Sequence, residues 1–351
     1  MNVNNTGLMC DRTNRGRGYD ACCARHPKAC RNHVTPLQTG QLALDSSLLS
    51  RHEDSPRGAA KHLRSLASPE GNLVVTHTTG ANLPFARNWW RHLDRATVLN
   101  YVLIATDDMA FAAIEHERPG RAVRCPRAIF AHAEGRPVSY RSSGWTRLMF
   151  AVPRMVRWVL RAGVNVLWMD TDVVALADPF PHIKLQTSKG MRGTGSTGAE
   201  GGLWLASVDG RVPDENLSEC AVSYTRDARW GRSTGGWKLC GGLFYVQPGH
   251  AALDVLHDWE KRLRTPGAGA KNQPHYNGAL HDSPTLRVRT LPCDLFPNGY
   301  RYASDAWRQV QQRRPVLVHN NWIKGSDAKL RRFREWGMWL ADGDIATNRT
   351  A

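Results

Sequence analysis

The chain is 351 residues long, with 41% of its residues hydrophobic and 22% charged, which is the composition of an ordinary soluble globular protein. Its 47 Lys and Arg residues outnumber its 31 Asp and Glu residues, and the net charge of +16 attracts phosphates and other polyanions. No helix-turn-helix, zinc-finger or RNA-binding signature accompanies this charge, so the sequence argues against nucleic-acid binding. Because no run of about 18 apolar residues is present, we expect a chain that is soluble as written or has lost a membrane anchor.

Residues 1–70 are polar and lack a sustained periodicity. We predict that they are disordered or pinned locally by the cysteines between positions 10 and 30, whose spacing matches no standard zinc-ligand pattern. The chain has eight cysteines, an even number that permits disulfides in an oxidising compartment. Together with glycosylation sequons at Asn4, Asn216 and Asn348, the cysteines are compatible with a secretory lumen.

Strands alternate with helices from residue 72 onward, which predicts an α/β fold with a mixed, mostly parallel sheet flanked by helices. We expect one large domain at residues 71–340, followed by a loose polar tail at 341–351. The predicted strands lie at residues 73–76, 98–105, 164–169, 239–246, 285–291 and 316–318. The predicted helices lie at residues 84–93, 109–117, 145–160 and 251–263.

The clearest of these helices spans residues 145–160. Its apolar residues recur at three- and four-residue spacing and form a single stripe, and Gly163 is well placed to end the helix. Arg154, Arg157 and Arg161 share another face, which we interpret as solvated. The helix is therefore expected to cover the sheet with its apolar stripe and to present its arginines to water.

Two aspartates, Asp170 and Asp172, directly follow the predicted strand at 164–169, whose nearly continuous apolar sequence suits a central strand. Ligands of open α/β sheets bind at the carboxyl ends of strands. Two carboxylates in a low dielectric repel each other unless a cation lies between them, and hard oxygen ligands favour Mg²⁺ or Mn²⁺. The sequence therefore predicts a metal here, but not at Asp342 and Asp344, which have the same spacing and no preceding strand.

A second group of candidate residues follows the predicted strand at 316–318. His319 ends that strand and is a candidate third metal ligand through a neutral ring nitrogen, although a histidine considered alone is more often a loop or core residue. Gly325 permits close backbone approach to a phosphate, which the positive charges of Lys324 and Lys329 can contact. Combined with the aspartates, these residues predict a site for a metal-bound diphosphate.

Four sequence blocks stand out between residues 145 and 325. The blocks are Trp-Thr-Arg-Leu…Gly-Val-Asn-Val-Leu-Trp-Met-Asp-Thr-Asp-Val-Val-Ala-Leu-Ala-Asp-Pro-Phe at 145–180, Gly-Gly-Leu-Phe-Tyr-Val at 241–246, Leu-Phe-Pro-Asn-Gly at 295–299, and Val-His-Asn-Asn-Trp-Ile-Lys-Gly at 318–325, with Lys329 and Arg332 beyond. In this order they resemble the nucleotide-diphospho-sugar transferase domain of glycosyltransferase family 77, and the resemblance covers residues 72–340. Four collinear blocks are far more specific than any one of them.

The resemblance implies a GT-A-type fold, a UDP-sugar donor and Mn²⁺ or Mg²⁺ held by Asp170, Asp172 and His319. It also implies transfer of a pentose or galactose, with retention of configuration, to a glycan or glycoprotein acceptor. The family acts in glycan biosynthesis in the Golgi lumen or elsewhere in the secretory pathway. Most of the 13 tryptophans are then core residues, with one or two lining a sugar site. The donor-binding residues that the resemblance implies are Asp107, Asp170, Asp172, Lys324, Gly325 and Lys329.

The acceptor side departs from the family pattern. Asn272 replaces the acidic residue that the family usually has there, Cys240 stands where asparagine is common, and Lys189 falls near a usual aspartate. The catalytic candidates that remain are Gln273, as a group that stabilises positive charge on the sugar, and Asn277. Because of these departures, a second hypothesis is that the chain is a catalytically silent nucleotide-sugar or glycan-binding protein on the same fold. The net positive charge supports a third, a polyanion-binding protein without sugar chemistry.

Overall fold

The described part of the chain comes from a computed structural model and comprises residues 56–130, 143–183, 204–209, 239–265, 272–283 and 287–342. The chain divides into two units, Met1–Ala43 and Leu44–Ala351, and every described residue belongs to the second. Several residues considered above therefore lie outside the described residues. They are the cysteines between positions 10 and 30, the three sequons, Lys189 and Asp344.

Nine strands are present in the described part of the chain. They are β1 (Asn72–Thr78), β2 (Tyr101–Ala105), β3 (Ala122–Arg124), β4 (Asn165–Met169), β5 (Val173–Ala175), β6 (Trp204–Asp209), β7 (Leu239–Val246), β8 (Arg287–Leu291) and β9 (Leu317–His319). Seven of them form one sheet in the order β3-β2-β1-β4-β7-β6-β8. Only β7 runs antiparallel to its neighbours in this sheet. The sheet is therefore mixed and mostly parallel, as the sequence predicts.

Helices cover both faces of this sheet. They are α1 (Pro56–Leu66), α2 (Leu83–Arg95), α3 (Asp108–Glu117), α4 (Ser143–Leu160), α5 (His250–Arg264), α6 (Asn272–Asp282), α7 (Gly299–Tyr302), α8 (Asp305–Val310) and α9 (Ser326–Glu335). Side chains alternate along β1, so Leu73 and Val75 join the core under α1, α4, α5 and α6, whereas Val74 joins the core under α2 and α3. Each central strand is thus buried on both faces, which explains its continuous apolar sequence.

A separate two-stranded sheet pairs β5 with β9 in antiparallel orientation. Val173 lies opposite His319, and Ala175 lies opposite Leu317. Each strand has only three residues, too few to show a hydrophobic period, so the sequence alone does not predict this pairing. The small sheet joins the chain after β4 to the chain after β9.

The structured part of the chain begins before the predicted boundary at residue 70. Helix α1 falls inside the segment predicted to be disordered or cysteine-pinned, and it places Ala60 and Leu63 in the core. These two residues are three apart and share one helical face, a signal too short to stand out in a polar segment. Strand β2 conversely begins at Tyr101 rather than at residue 98, because Thr97 adopts a positive φ of 56° directly after α2.

The arginine face of α4 differs from the prediction that it is solvated. Arg157 donates to the Glu260 carboxylate across a distance of 2.8 Å, and the Arg154 guanidinium lies 3.4 Å from the same carboxylate. Glu260 is buried on α5, where a carboxylate needs positively charged partners. The prediction was wrong for these two arginines because α5 packs against the face that carries them.

Candidate functional site

The backbone of the turn between β4 and β5 is hydrogen-bonded on both sides. Asp170 N–H donates to the Gly242 carbonyl on β7 (2.8 Å), and Val173 N–H donates to the Asp170 carbonyl (2.9 Å). From the other side, Asn320 N–H donates to the Asp172 carbonyl (2.8 Å). These bonds hold both aspartates in fixed positions at the carboxyl end of β4, next to the end of β9.

Asp170, Asp172 and His319 form a cluster of potential metal ligands, the one such cluster within the described residues. One ligand atom from each side chain lies within 4.8 Å of those from the others. His319 Nε2 is 3.3 Å from Asp172 Oδ1, and these two residues are only 3% and 6% exposed. Two carboxylates and an imidazole suit a divalent cation. The structure thus brings together the three residues that the sequence predicts as ligands.

The two aspartates of the cluster differ in their electrostatics. Burial, followed by the neighbouring Asp172 charge, raises the pKa of Asp170 to about 7. Burial also acts to raise the pKa of Asp172, but Lys329 and His319 outweigh it and hold that pKa below its ordinary value. Asp172 is therefore ionised near neutral pH, whereas Asp170 takes up a proton readily. Additional positive charge beside Asp170 would keep both carboxylates ionised.

Gly242 allows β7 to lie directly against the cluster. A Cβ atom at this position would overlap the Asp170 carboxylate, standing 2.8 Å from its Cγ, and would lie 3.0 Å from His319 Cε1. A Cβ atom at the adjacent Gly241 would meet Trp259 and Tyr276 at an ordinary 3.8 Å. Only the second of the two glycines is therefore required by the geometry of the site.

Lys329 reaches the cluster from α9. Its ammonium lies 2.6 Å from Asp172 Oδ2, and its backbone carbonyl accepts a hydrogen bond from Asn320 Nδ2 (2.9 Å). Arg332, one turn further along α9, donates to Asn320 Oδ1 (2.5 Å). Helix α9 is therefore docked on the loop after β9, and in this structure Lys329 neutralises a potential metal ligand.

Lys324 and Gly325 lie at the amino end of α9. Gly325 is the residue directly before the helix, and its φ of 87° requires the conformational freedom of glycine. Both residues are exposed. The first N–H groups of a helix lack intrahelical acceptors and favour anions. Two of the three residues predicted to contact phosphate thus lie at the helix end that favours an anion.

Asp107 caps α3. Its Oδ1 accepts a hydrogen bond from Ala110 N–H (2.7 Å), and its Oδ2 accepts one from Gly80 N–H (2.9 Å). Both bonds fix the loops that follow β1 and β2, which end at the same edge of the sheet as β4. Asp107 therefore has a clear structural role, and its predicted contact with the nucleotide stays a prediction.

Three further residues line the cluster and were not selected from the sequence. Trp168 Nε1 donates to Asp170 Oδ1 (3.3 Å), and the His77 ring stacks on Trp168 with 5.5 Å between ring centroids. Asn82 Nδ2 donates to Thr171 Oγ1 (2.8 Å). Burial lowers the pKa of His77 to about 4, so its ring is neutral. His77 and Asn82 lie at and just beyond the carboxyl end of β1, so the rule that identified Asp170 could have found them.

Helix α6 holds the predicted catalytic candidates. The Asn277 amide accepts a hydrogen bond from Leu239 N–H (2.7 Å) and donates to the carbonyls of Leu239 (2.9 Å) and Gln273 (2.8 Å). Asn272 Oδ1 accepts a hydrogen bond from Trp259 Nε1 (2.7 Å). Asn277 thus ties α6 to β7 with its whole amide, a structural role that these contacts favour over a catalytic one. Gln273 is half-buried, and its role stays a prediction.

Two aromatic side chains stand exposed beside the loop after β9. Trp322 is 48% exposed and Tyr300 is 45% exposed, and their ring centroids are 6.4 Å apart. Trp322 also adopts a φ of 59°, a left-handed conformation that bulky residues rarely take. By contrast, the tryptophans of α2, α4, β4, α5 and α8 are buried or half-buried.

Comparison with protein families identifies the domain that contains this cluster. The family model described as nucleotide-diphospho-sugar transferase matches residues 96–333, which is more than half of the chain. The chain belongs to this family. The match confirms the resemblance carried by the four sequence blocks, and it includes all three residues of the cluster. As a nucleotide-diphospho-sugar transferase, the chain has a nucleotide-sugar as its donor.

Curated relatives of this transferase include plant and amoebal enzymes. It is 26% identical over 281 residues to the UDP-D-xylose:L-fucose alpha-1,3-D-xylosyltransferase of Arabidopsis thaliana, across 78% of this chain and 70% of that one. It is 23% identical over 222 residues to the UDP-galactose:fucoside alpha-3-galactosyltransferase of Dictyostelium discoideum, across 59% and 30% of the two chains. Among solved structures, the galactosyltransferase LgtC with donor and acceptor sugar analogues is 14% identical, with a TM-score of 0.45 over 79% of this chain and 98% of that one.

Proposed function

We propose that this transferase moves a pentose or galactose from a UDP-sugar to a glycan or glycoprotein acceptor, with retention of configuration at the anomeric carbon. The observation that carries the proposal is the cluster of half-buried Asp170 with buried Asp172 and His319 in a chain of this family. The relatives named above use UDP-xylose or UDP-galactose, which supports the choice of sugar and of uridine. The domain that does this work is residues 71–340, of GT-A type, together with α1.

The cluster fits Mn²⁺ or Mg²⁺. Asp170 and Asp172 form the Asp-x-Asp pair, and they supply carboxylate oxygens while His319 supplies a ring nitrogen. Burial and the neighbouring Asp172 charge raise the pKa of Asp170, so a cation beside this carboxylate would favour its ionised form, and Gly242 leaves room for the carboxylate itself. A divalent ion held by these three residues would neutralise negative charge on the departing nucleotide diphosphate.

The donor diphosphate is assigned to α9. Lys329 lies 2.6 Å from Asp172 and is within reach of any group bound at that carboxylate. Lys324 and Gly325, at the amino end of the helix, supply a charge and backbone N–H groups to phosphate oxygens. Asp107, at the carboxyl edge of the sheet, is assigned to the nucleoside end of the donor.

The acceptor is assigned to the exposed pair of Tyr300 and Trp322. Aromatic rings combine a large apolar face with little conformational entropy, and sugar rings present C–H groups to such faces. The strained backbone of Trp322 follows the ligand His319 by three residues, which connects the pair to the cluster. Gln273 stays assigned to stabilising positive charge on the transferred sugar, whereas the contacts of Asn277 favour a structural role.

A catalytically silent nucleotide-sugar or glycan-binding protein is the second candidate. The changes at Cys240, Asn272 and Lys189 motivate it, since all three fall on the side expected to meet sugar and acceptor. Such a protein would bind UDP in a metal-dependent manner and release none from any donor.

The Golgi lumen or another compartment of the secretory pathway is the proposed location. Cys293 is disulfide-bonded, and disulfides persist in oxidising compartments. Within the described residues, no helix is long and apolar enough to span a bilayer.

A screen of UDP-sugars tests the proposed function. UDP-xylose, UDP-galactose, UDP-arabinose and UDP-glucose are each incubated with the protein and Mn²⁺, and released UDP is measured. We expect release from at least one pentose or galactose donor, its loss on chelation, and its loss in Asp172→Asn but not in the matched Asp342→Asn. Metal-dependent UDP binding without release would favour the silent protein, and the absence of both would contradict both candidates.

A further inference from the structure

Cys240 lies directly against the predicted metal ligand His319. Its side chain is buried on β7, with Sγ 3.5 Å from His319 Nδ1. The pairing of β6 with β7 shifts register between Ser207 and Asp209, opposite this part of β7. Gly242 N–H also donates to Sγ (3.4 Å), so the sulfur is held in place by the backbone beside Asp170.

The two ring nitrogens of His319 face different groups. Nε2 points at Asp172, with 3.3 Å to Oδ1, whereas Nδ1 points at Cys240 and Asn321. A neutral imidazole that binds a cation through Nε2 must carry its proton on Nδ1, and that N–H needs an acceptor in the buried site. Which group receives this proton therefore determines whether Nε2 offers its lone pair.

Asn321 cannot be the acceptor. Its Oδ1 accepts a hydrogen bond from Gly299 N–H (2.7 Å), which turns its Nδ2 towards both His319 Nδ1 (3.3 Å) and Cys240 Sγ (3.9 Å). An amide nitrogen only donates, so Asn321 favours the opposite tautomer, in which Nδ1 accepts and Nε2 carries the proton. In that tautomer Nε2–H can donate to Asp172 Oδ1 across 3.3 Å, but Nε2 then has no lone pair to offer a metal.

We infer that Cys240 is a positioning residue of the metal site, whose sulfur accepts the Nδ1–H of His319 and thereby selects the tautomer that binds metal through Nε2. The inference rests on the proposed function, because it takes Asp170, Asp172 and His319 as the ligands. In this role the thiol would contact neither metal nor substrate and would affect metal binding only through the histidine. Outer partners of this kind typically change metal affinity by about 10- to 100-fold.

Paired variants of the full chain test this inference. Cys240→Ala removes the acceptor, and Cys240→Ser differs from it only by an oxygen that can accept. Cys125→Ala is the control, because Cys125 is also a buried thiol but contacts the Pro126 carbonyl. Mn²⁺ binding is measured by calorimetry, and the tautomer of His319 is read from its ¹⁵N shifts in the presence of Mg²⁺. Melting temperatures identify any variant that fails to fold.

The expected result is a Mn²⁺ affinity about 10-fold or more weaker in Cys240→Ala, together with a shift towards the Nε2–H tautomer. Cys240→Ser should recover most of the affinity, and Cys125→Ala should bind as the unmodified chain does. Equal affinity and tautomer in Cys240→Ala and the unmodified chain would overturn the inference alone, as would a Cys240→Ser variant that folds but binds as weakly as Cys240→Ala. An unmodified chain that binds no Mn²⁺ would instead overturn the proposed metal site and this inference with it.

Discussion

Val173 lies opposite His319 in the antiparallel pair of β5 and β9. This register brings the imidazole of His319 to 3.3 Å from the carboxylate of Asp172, the residue before Val173. Two segments that are far apart in the sequence thus contribute to one buried cluster. Strand pairing, rather than spacing along the chain, sets the geometry of the site.

Gly242→Ala is expected to damage the cluster without unfolding the protein. The added methyl group would overlap the Asp170 carboxylate and press on His319 Cε1, so we expect Mn²⁺ affinity to fall by about 10-fold or more. Gly241→Ala is the matched control, since its methyl group would meet only ordinary van der Waals contacts. Calorimetric titration with Mn²⁺ compares the two variants, and equal losses in both would argue against a site built around Gly242.

Lys329→Met is expected to raise the affinity for metal and to lower the affinity for nucleotide. Removing the ammonium leaves the buried Asp172 without its closest positive charge, so the metal-free protein should lose roughly 3 kcal/mol of stability. Mn²⁺ alone should bind more tightly, because no ammonium competes for the carboxylate, whereas UDP should bind more weakly. Denaturation and separate titrations with Mn²⁺ and UDP measure these changes. Lys324→Met, at an exposed position, should affect only UDP binding, and a Lys329→Met protein with unchanged Mn²⁺ affinity would refute the competition.

The binding of Mn²⁺ should depend on pH through Asp170. Its pKa is raised to about 7, so below that pH the carboxyl must release a proton before it can bind metal. His319 must also release a proton before its Nε2 can bind metal, because burial lowers its pKa but the facing Cys240 and Asp172 outweigh burial and raise that pKa to about 10. The apparent affinity should therefore rise about 100-fold per pH unit below pH 7 and about 10-fold per unit above it. Calorimetric titrations with Mn²⁺ between pH 5.5 and 8.5, repeated in buffers of different ionisation enthalpy, would measure the protons released on binding. A profile whose slope does not change near pH 7 would contradict this protonation of Asp170.

The same raised pKa has a consequence for stability without metal. A group whose pKa is higher in the folded state stabilises the fold at low pH, and this contribution is lost as the pH rises through the folded value. Metal-free protein should therefore lose stability between pH 5 and 8, and Asp170→Asn should lose less. Melting temperatures of the two proteins across this range decide the point, and parallel curves would contradict it.

Trp322→Ala should separate donor chemistry from acceptor binding. If the exposed pair with Tyr300 holds the acceptor, the variant should transfer sugar about 10-fold more slowly yet hydrolyse the donor at the normal rate. Leu99→Ala, which removes an even more exposed apolar side chain elsewhere, should change neither rate. A Trp322→Ala protein that loses both activities in parallel would contradict the assignment.

Much of the fold was predictable because long elements carry their own pattern. The apolar stripe of α4 and the continuous apolar run of β4 identify both elements, and Asp170 and Asp172 follow from their place after that strand. His319 was predictable for the same reason, as a polar residue at the end of an apolar segment. These predictions required only local sequence and a general rule about strand ends.

The remaining features depend on packing between distant segments. The pairing of β5 with β9 and the place of β7 between β4 and β6 leave no local signal, so the contacts of Cys240 with His319 could not be predicted. The salt bridges of Arg154 and Arg157 were missed because their acidic partner lies on α5. Lys329 was predicted as a phosphate contact, and its pairing with Asp172 emerges only from the docking of α9.

The most direct test of the proposed metal site is an anomalous diffraction map of the protein crystallised with Mn²⁺ and UDP. The account predicts one manganese peak about 2.0–2.3 Å from carboxylate oxygens of Asp170 and Asp172 and from His319 Nε2, with the Lys329 ammonium displaced from Asp172. A manganese peak elsewhere, or none while Lys329 stays paired with Asp172, would contradict it.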